Sequence, residues 1–242
     1  MTIIITGTST GIGFALAEYF GKKGHSVFGL SRKNVLSAYF KTIPTDITDN
    51  LQVQNAVSEI LKTEKNIDVL INNAGMGMVG AVEDSTQEEI IKLFNLNLVG
   101  SVQMMSAVLP SMRAQKLGKI LNISSIGSEM GLPFRGFYSA SKSALDKVTE
   151  AIRYEVSPWN IEVCTLHLGD IKTKIAENRV KTKVSEPYQK TFEKIYSIMN
   201  VHVNDGTEPL EVAEYIEKLL AKKSWKAHYY FGKFGQKIGV PL

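Results

Sequence analysis

The chain has 242 residues, a net charge of +4 and an apolar content of 44%, which is the balance of an ordinary globular protein. Its basic residues are scattered among acidic ones, which excludes the concentrated basic stripe of a nucleic-acid-binding surface. The single cysteine, Cys164, excludes an intrachain disulfide, and its apolar neighbours favour a buried thiol over a reactive one.

Short β-rich runs alternate with longer helical patterns along the chain. In chain order, strands are predicted at Thr2–Thr6, Ser26–Ser31, Thr42–Thr45, Val69–Asn72, Lys119–Ser124, Glu162–His167 and His228–Phe231. Apolar periodicity predicts helices at Ile12–Lys22, Leu51–Lys62, Glu88–Gln115, Phe137–Val156 and Glu211–Lys222. Because such apolar strands are buried on both faces, we expect an α/β fold. The expected fold is a Rossmann-type doubly wound parallel sheet of about seven strands, with helices on both faces.

The segment from Asp170 to Gly206 interrupts this alternation and is polar and rich in lysine. Part of it has the apolar spacing of an amphipathic helix. A long excursion of this kind in a compact domain is commonly a lid over a site. We therefore expect residues 1–242 to form a single domain with a helical substrate lid at about 170–206.

The apolar start of the chain, Ile3-Ile4-Ile5, is too short for a signal peptide. No later stretch reaches the roughly 18 uninterrupted apolar residues of a membrane-spanning helix. We expect no membrane span and a cytoplasmic location.

A glycine-rich turn links the first predicted strand to the first helix. It reads Thr6-Gly7-Thr8-Ser9-Thr10-Gly11-Ile12-Gly13. Glycines let the backbone approach a pyrophosphate, and the free N–H groups of a helix N-terminus attract phosphates. Because the spacing differs from the commoner Gly-x-Gly-x2-Gly, the turn alone does not separate dinucleotide binding from a merely tight turn.

Further motifs follow this turn in a recognisable order. They are Asn72-Asn73-Ala74-Gly75, Asn97-Leu98-Val99-Gly100, Ser124-Ser125 and Tyr138-Ser139-Ala140-Ser141-Lys142. Together with the turn, they resemble the motifs of the short-chain dehydrogenase/reductase family, over a match from Thr2 to about Thr173. Met76-Gly77-Met78 and Gly131-Leu132-Pro133-Phe134 are most similar to hydroxysteroid and retinol dehydrogenases.

The resemblance implies a nicotinamide cofactor held along the carboxyl edge of the sheet. The implied cofactor-binding residues are Gly7, Thr8, Ser9, Thr10, Gly11, Ile12, Gly13, Ser31, Arg32, Asp46, Ile47, Asn73, Ala74, Gly75, Tyr138, Lys142, Gly169, Ile171 and Thr173. Of these, Asp46 and Ile47 correspond to the pair that contacts the adenine. Only thirteen residues separate Arg32 from Asp46, so we expect the helix usual between them to be missing or reduced.

The second predicted strand ends in Ser31-Arg32-Lys33, without the acidic residue that generally holds two free ribose hydroxyls. The Arg32 guanidinium suits a 2′-phosphate instead, and the resemblance also places an NADP-selecting arginine here. A solvated surface arginine is the alternative. Family members often add a basic residue in the glycine turn, where this chain has Thr10. We expect NADP(H) to be preferred, with NAD(H) as second choice.

Tyr138 and Lys142 stand four residues apart on a predicted helix, so their side chains share a face. A phenol ordinarily has a pKa near ~10, too high for acid–base chemistry at neutral pH. An ammonium at ~4 Å contributes roughly 4 kcal/mol at an effective dielectric of about 20, enough to bring a phenol into range. The resemblance implies that Lys142 also binds the nicotinamide ribose.

Ser125 lies thirteen residues before Tyr138, just past a strand end, where active sites of parallel sheets lie. Its hydroxyl suits a substrate oxygen, and the resemblance implies that Asn97 holds a water in a proton relay. The expected catalytic residues are Asn97, Ser125, Tyr138 and Lys142. Singly, each has an ordinary structural explanation: a capping asparagine, a turn serine, a packed tyrosine and a surface lysine.

The family's Pro-Gly turn after the sixth strand reads Leu168-Gly169 here, and Thr173 is retained four residues on. His167, at the strand end, has hydrogen-bonded burial as its simpler explanation. We expect no metal, because no Cys, His or carboxylate cluster has ligand spacing.

Apolar residues near the site suit a small hydrophobic carbonyl or alcohol substrate, although core packing is an equal explanation for Met76. They are Met76, Met78, Met130, Leu132, Phe134 and Phe137. The lid carries basic residues that we interpret as a solvated face, with recognition of an anionic substrate as the alternative. They are Lys172, Lys174, Arg179, Lys181, Lys183 and Lys190.

The sequence therefore predicts an NADP(H)-dependent oxidoreductase that interconverts an alcohol and a ketone or aldehyde, with Tyr138 as general acid/base. The resemblance implies a homodimer formed through the two long helices. A non-catalytic NADP-binding regulatory protein is the main alternative. A nucleic-acid binder is suggested only by the pI of 8.9, and we expect no nucleic-acid partner.

Overall fold

The computed structural model describes residues 1–173 and 179–233. For residues 202–204, within the second range, it describes the backbone only. Within these ranges the strands are β1 Thr2–Thr6, β2 Ser26–Ser31, β3 Lys41–Pro44, β4 Val69–Asn72, β5 Met78–Val79, β6 Gly118–Ser125, β7 Ile161–Leu168, β8 Val180–Lys181 and β9 His228–Phe231. The helices are α1 Gly11–Lys22, α2 Asn50–Thr63, α3 Gln87–Phe94, α4 Gly100–Gln115, α5 Gly136–Val156, α6 Glu186–Asn204 and α7 Pro209–Leu220.

Seven strands form one parallel sheet in the order β3-β2-β1-β4-β6-β7-β9. The strand order reverses between β1 and β4, which creates the crevice where doubly wound sheets bind their ligands. The predicted Rossmann-type fold is confirmed. Its switch point lies beside Thr6, at the end of β1, and Asn72, at the end of β4.

Two apolar cores cover the two faces of the sheet. Successive β1 residues point to opposite faces, so Ile3 and Ile5 join the core beneath α1 and α7, while Ile4 joins the core beneath α2 and α4. This double burial explains why the strands are continuously apolar.

The prediction of one continuous helix at Glu88–Gln115 is wrong in one respect. A π-helical turn at Asn95–Val99 separates α3 from α4. A π turn inserts one extra residue and is frequent at functional sites. The apolar pattern runs through the insertion on both sides, so periodicity alone did not reveal it. The turn places Asn97 in a fully buried position.

The combined stretch Gln87–Gln115 is, within the described parts of the chain, the one helix long and apolar enough to cross a membrane by length and composition. Half of its most apolar window is buried inside the protein, and core helices of soluble proteins pass the same test. The absence of a membrane span therefore stays a prediction.

Between β2 and β3 the chain forms no helix, as the short spacing predicted. Residues 32–40 instead cross α1, where the backbone of Tyr39 packs so closely on Gly21 that no side chain would fit there. The site at the end of β2 is thus left open, with no helix covering it.

The two-stranded sheet of β5 and β8 was not predicted. The Val180 amide donates to the Gly77 carbonyl at 2.9 Å, and the Thr182 amide donates to the Val79 carbonyl at 3.0 Å. These bonds attach the expected lid segment to the chain that follows β4. Two residues per strand give too short a pattern to identify from sequence.

Phe20 tests the core beneath α1, because its side chain is fully buried between α1 and the sheet. We expect Phe20→Ala to lower the free energy of unfolding by about 3–5 kcal/mol through lost burial and a residual cavity. Tyr154→Ala, at a position 79% exposed, serves as the control and should change it by no more than about 0.5 kcal/mol. Denaturant titration measures both, and equal losses would contradict the assignment.

Candidate active site

The glycine turn after β1 has the geometry of a phosphate cradle. Gly7 and Gly11 adopt φ of +74° and +62°, and a side chain at Gly13 would collide with the Gly7 carbonyl. No side chain caps the first turn of α1, whereas Asp49 caps α2 and Thr86 caps α3. The free N–H groups of α1 are therefore available to an anion, and these residues fit a pyrophosphate.

Hydrogen bonds tie the ends of β1 and β4 together beside this cradle. Thr6 Oγ1 accepts from the amides of Asn73 and Ala74 at 3.0 and 2.9 Å, and Asn73 Nδ2 donates to the Thr6 carbonyl at 2.9 Å. The Thr8 hydroxyl packs against Gly29, so only the backbone of Thr8 faces the cradle. The two halves of the expected cofactor site thus share one rigid edge.

Arg32 follows β2 directly and is exposed. The Gly7 amide donates to the Leu30 carbonyl at 2.7 Å, so the end of β2 adjoins the glycine turn. Ser31 is buried, and its hydroxyl donates to the Lys33 carbonyl at 2.7 Å. Among the residues that the structure describes, no carboxylate forms an ion pair with Arg32. Its guanidinium is available to an anion at this edge.

The expected adenine-side pair is placed after β3. The Asp46 carboxylate accepts from the Thr48 amide at 2.9 Å and from the Thr48 hydroxyl at 2.7 Å. The Ile47 side chain is buried against Gly100, so Ile47 offers a ligand its backbone only.

The segment after β7 approaches the glycine turn from the other side. The Gly169 amide donates to the Phe231 carbonyl at 2.8 Å, and Ile171 forms an isolated bridge with Thr207. Thr173 Cγ2 lies 3.5 Å from the point where a Cβ on Gly11 would stand. The structure therefore brings together the two segments that were expected to contact the cofactor.

Tyr138 and Lys142 lie one turn apart on α5, with only 7% and 6% of their surface exposed. Lys142 Nζ donates to the Ile123 carbonyl of β6 at 2.8 Å and points toward Gly75, after β4. Ser125 ends β6, and its hydroxyl accepts from the Gly127 amide at 3.1 Å. The structure thus places these three residues at the carboxyl edge of the sheet.

Asn97 connects three parts of the site. Its amide nitrogen donates to the Met76 carbonyl and to the Ser141 hydroxyl, both at 3.0 Å, and its Oδ1 accepts from the Met76 amide at 2.8 Å. Because both amide hydrogens are used, a relay water would be held by an oxygen of Asn97, either the backbone carbonyl or the second lone pair of Oδ1.

Three residues near the site make contacts that the sequence did not predict. The Ser141 hydroxyl donates to the Tyr138 carbonyl at 2.8 Å while accepting from Asn97, a role that its position three residues after Tyr138 could have suggested. The Arg135 guanidinium lies 4.8 Å from the centre of the Tyr138 ring. Arg179, expected on a solvated lid face, is instead half-buried against Gly77, and no local sequence signal shows this.

Five other basic residues were expected on the solvated lid face. Lys172, Lys181, Lys183 and Lys190 are exposed, whereas Lys174 lies outside the described residues. Arg179 differs from these exposed lysines because it is half-buried, so the solvated-face interpretation is wrong for Arg179.

Of the apolar residues expected near the substrate, some contact the lid helix and others belong to the core. Phe134, at φ +58°, packs edge-on against Phe192 and Tyr188 of α6, with ring centres 5.3 and 6.4 Å apart. Met78 is buried in β5, so core packing accounts for it, and Met130 is 44% exposed. The aromatic contacts place α6 next to the segment that leads into α5.

Behind Ser125 lies a buried polar cluster around His167. Its Nδ1 is 3.1 Å from the Ser128 hydroxyl and 3.2 Å from Glu129 Oε1, while its Nε2 is 2.9 Å from the Thr165 hydroxyl and 3.9 Å from Asp146 Oδ1. His167 is thus a hydrogen-bonded buried histidine, as expected.

Three residues of this cluster offer ligand atoms within 4.8 Å of one another: Glu129, Asp146 and His167. The two carboxylates face opposite nitrogens of the same ring, so they do not gather around one ring nitrogen as the ligands of a shared ion would. The expectation of no metal stays a prediction.

Burial lowers the pKa of His167, more than the carboxylates of Asp146 and Glu129 raise it. Burial also raises the pKa of the Cys164 thiol well above its ordinary value. Cys164 is fully buried, which agrees with the expected unreactive thiol.

The parallel sheet and its glycine turn define a protein of the Rossmann-type α/β class. The family described as short chain dehydrogenase matches residues 1–184. A 3-ketodihydrosphingosine reductase of Bacteroides thetaiotaomicron is 40% identical over 228 residues, 92% of this chain and 84% of the relative.

Two further comparisons agree. An NADPH-dependent 3-dehydrocapnine reductase of Ornithobacterium rhinotracheale is 32% identical over 238 residues, 93% of this chain and 82% of the relative. The structure of ElxO with NADP bound is 27% identical, has a TM-score of 0.79 and is similar over 95% of each chain. The chain belongs to the short-chain dehydrogenase/reductase family and is an oxidoreductase.

The lowered pKa of His167 gives a pH dependence of stability. Because the folded state disfavours the imidazolium, the unfolded state binds the proton more readily, and stability falls as pH drops through the ordinary histidine range near ~6.5. We expect His167→Gln to show a smaller loss of unfolding free energy between neutral pH and pH ~5.5 than the wild type. Denaturant titrations at both pH values measure this. An equal loss in both proteins would assign the dependence to other groups.

Proposed function

We propose that this chain is an NADP(H)-dependent oxidoreductase that interconverts an alcohol and a ketone or aldehyde, with Tyr138 as general acid/base. The observation that carries the proposal is the buried pair of Tyr138 and Lys142, one helical turn apart at the carboxyl edge of the sheet. A buried ammonium beside a buried phenol has little value for packing, because burial of a charge is costly. It suits proton transfer instead.

NADP(H) is the proposed cofactor, with NAD(H) as second choice. The uncapped N-terminus of α1 would hold the pyrophosphate, and the exposed Arg32 would hold the 2′-phosphate. The NADP in the ElxO structure and the NADPH named for the Ornithobacterium relative support this choice. The remaining expected contacts, from Asp46 to Thr173, line the same edge.

When bound, the reduced nicotinamide supplies a hydride to the carbonyl carbon. The Tyr138 hydroxyl gives its proton to the carbonyl oxygen, and the Ser125 hydroxyl holds that oxygen by a hydrogen bond. The Lys142 ammonium stabilises the phenolate that remains. Positioned proton transfer of this kind contributes about 10²–10⁴-fold to the rate. Alcohol oxidation uses the same groups in reverse.

Asn97 and Ser141 act as positioning residues in this proposal. Their hydrogen bonds fix the backbone of Tyr138 relative to the Met76 segment. A water on an Asn97 oxygen would then connect Lys142 to solvent and return the proton.

The proposed substrate is a small hydrophobic carbonyl compound or alcohol. Phe134 and the aromatic side chains of α6 offer the apolar surface, and the Bacteroides relative is named for a 3-keto compound. We propose that residues 170–206 act as the substrate lid of a single domain, 1–242. The pairing of β8 with β5 supports this role, because it holds the segment above the chain after β4.

We also propose a cytoplasmic homodimer that assembles through α4 and α5, with neither a nucleic-acid partner nor a membrane span. Support comes from the family resemblance for the dimer and from the scattered charge for the absent nucleic acid. The non-catalytic alternative lacks support, since a regulatory NADP-binding protein has no use for the buried Tyr138–Lys142 pair. Oxidation of NADPH with a panel of ketones separates the two functions.

Tyr138→Phe removes the proton donor and little else. We expect this variant to bind NADPH with unchanged affinity and to lose at least about 10²-fold in kcat, the lower bound for general acid catalysis. Calorimetry measures the first quantity and NADPH absorbance the second. Tyr154→Phe, an exposed position on the same helix, is the matched control and should retain full activity. Normal turnover by Tyr138→Phe would remove Tyr138 from its proposed role.

Arg32→Ala tests the choice of cofactor. We expect the wild type to prefer NADPH over NADH, and the variant to lose about 1.5–3 kcal/mol of that preference, the value of a charge-assisted hydrogen bond. Arg113→Ala removes an equal charge near the end of α4, at the opposite edge of the sheet, and should leave the preference intact. Equal NADPH and NADH affinities in the wild type would contradict the role of Arg32.

A further inference from the structure

Two half-buried arginines lie at the proposed active site, and the reaction proposed above uses neither. Arg135 precedes α5, and Arg179 precedes β8, within the expected lid. We call them the arginine pair. Within residues 1–173 and 179–233, neither forms an ion pair.

Arg135 faces the site through the ring of Tyr138. Its guanidinium carbon lies 4.8 Å from the ring centre, within the range of a cation–π contact. The side chain is half-buried. A group bound to this guanidinium would therefore lie a few ångströms from a carbonyl held at the Tyr138 hydroxyl.

Arg179 packs from the lid segment onto the chain that follows β4. Its aliphatic part covers Gly77, where an added Cβ would stand 2.8 Å from Arg179 Cγ, and its Nη1 donates to Asn200 Oδ1 of α6 at 3.4 Å. The β5–β8 pairing fixes this position, because the next residue, Val180, donates its amide to the Gly77 carbonyl.

The positive charge of Arg135 also acts on Arg179. Burial lowers the pKa of Arg179 most, and the positive charge of Arg135 lowers it further. Tyr196, Tyr138 and Asp170 raise that pKa by less. Since an arginine side chain stays protonated in proteins, Arg135 against Tyr138 and Arg179 against Gly77 bring two half-buried positive charges to this part of the site, which favours a bound anion.

We propose that the arginine pair is a subsite for an anionic group of the substrate, a sulfonate, phosphate or carboxylate carried close to the carbonyl that is reduced. The inference rests on the proposed function, because it places the anion relative to Tyr138. Paired guanidinium groups match the planar or tetrahedral oxygens of such anions by forked hydrogen bonds. The aromatic side chains of α6 would then receive the apolar remainder of the substrate.

The arrangement of the site separates this subsite from the cofactor phosphates. The pyrophosphate cradle is formed by residues 7–13 and adjoins Thr173, whereas the arginine pair adjoins Gly77 and Tyr138. An anion at the pair is therefore one carried by the substrate, and loss of either arginine should leave NADPH affinity unchanged.

The test compares two ketones with the same alkyl chain, a β-keto sulfonate and the corresponding neutral β-keto methyl sulfone. The two differ in charge and little in shape, and neither decarboxylates. Affinities are measured by calorimetry with the Tyr138→Phe protein loaded with NADPH, which does not reduce the ketone and serves as the parent protein. Turnover is measured with the wild type. Arg135→Met and Arg179→Met keep the aliphatic stem, and Lys190→Met, an exposed position on α6, is the charge-matched control.

We expect the sulfonate to bind at least about tenfold more tightly than the sulfone, and each arginine variant to lose most of that ratio while binding the sulfone normally. Lys190→Met should retain the ratio. Equal affinities for the two probes in the parent protein would overturn the subsite, whatever the turnover. Preferential sulfonate binding without turnover of either probe would retain the subsite and reject the proposed reduction.

Discussion

The hydrogen bonds of the Asn97 side chain are the interactions on which the candidate site depends. They join the chain after β4, the π-helical turn before α4 and, through Ser141, the first turn of α5. Asn97 is fully buried, so each of these bonds replaces a lost bond to water, and breaking one leaves a buried polar group unsatisfied. The position of Tyr138 thus follows from the sheet and not from α5 alone.

Lys142 shows the same dependence on the sheet. Its buried ammonium needs an acceptor, and the Ile123 carbonyl provides one, two residues before β6 ends at Ser125. This bond directs the charge toward the crevice between β1, β4 and β6. A doubly wound sheet is therefore more than a scaffold here, because its strand ends supply the partners that orient the chemical groups.

Much of the fold could be predicted because burial of both sheet faces leaves continuous apolar strands, and the site could be located because its motifs follow one another in family order. The π turn escaped prediction, since one inserted residue does not interrupt the apolar pattern. Arg179 and Gly77, 102 residues apart, meet only through the pairing of β5 with β8, two strands too short to identify. The arginine pair is a product of tertiary structure, whereas Tyr138 and Lys142 are adjacent through helix geometry alone.

The central claim is that Tyr138 protonates a carbonyl that receives hydride from a nicotinamide bound along the same edge. Its most direct test is mass spectrometry of the alcohol formed from a ketone in the presence of NADPH deuterated at both C4 positions of the nicotinamide. We expect one deuterium, on the carbinol carbon. Alcohol without deuterium, or consumption of NADPH without alcohol, would contradict it.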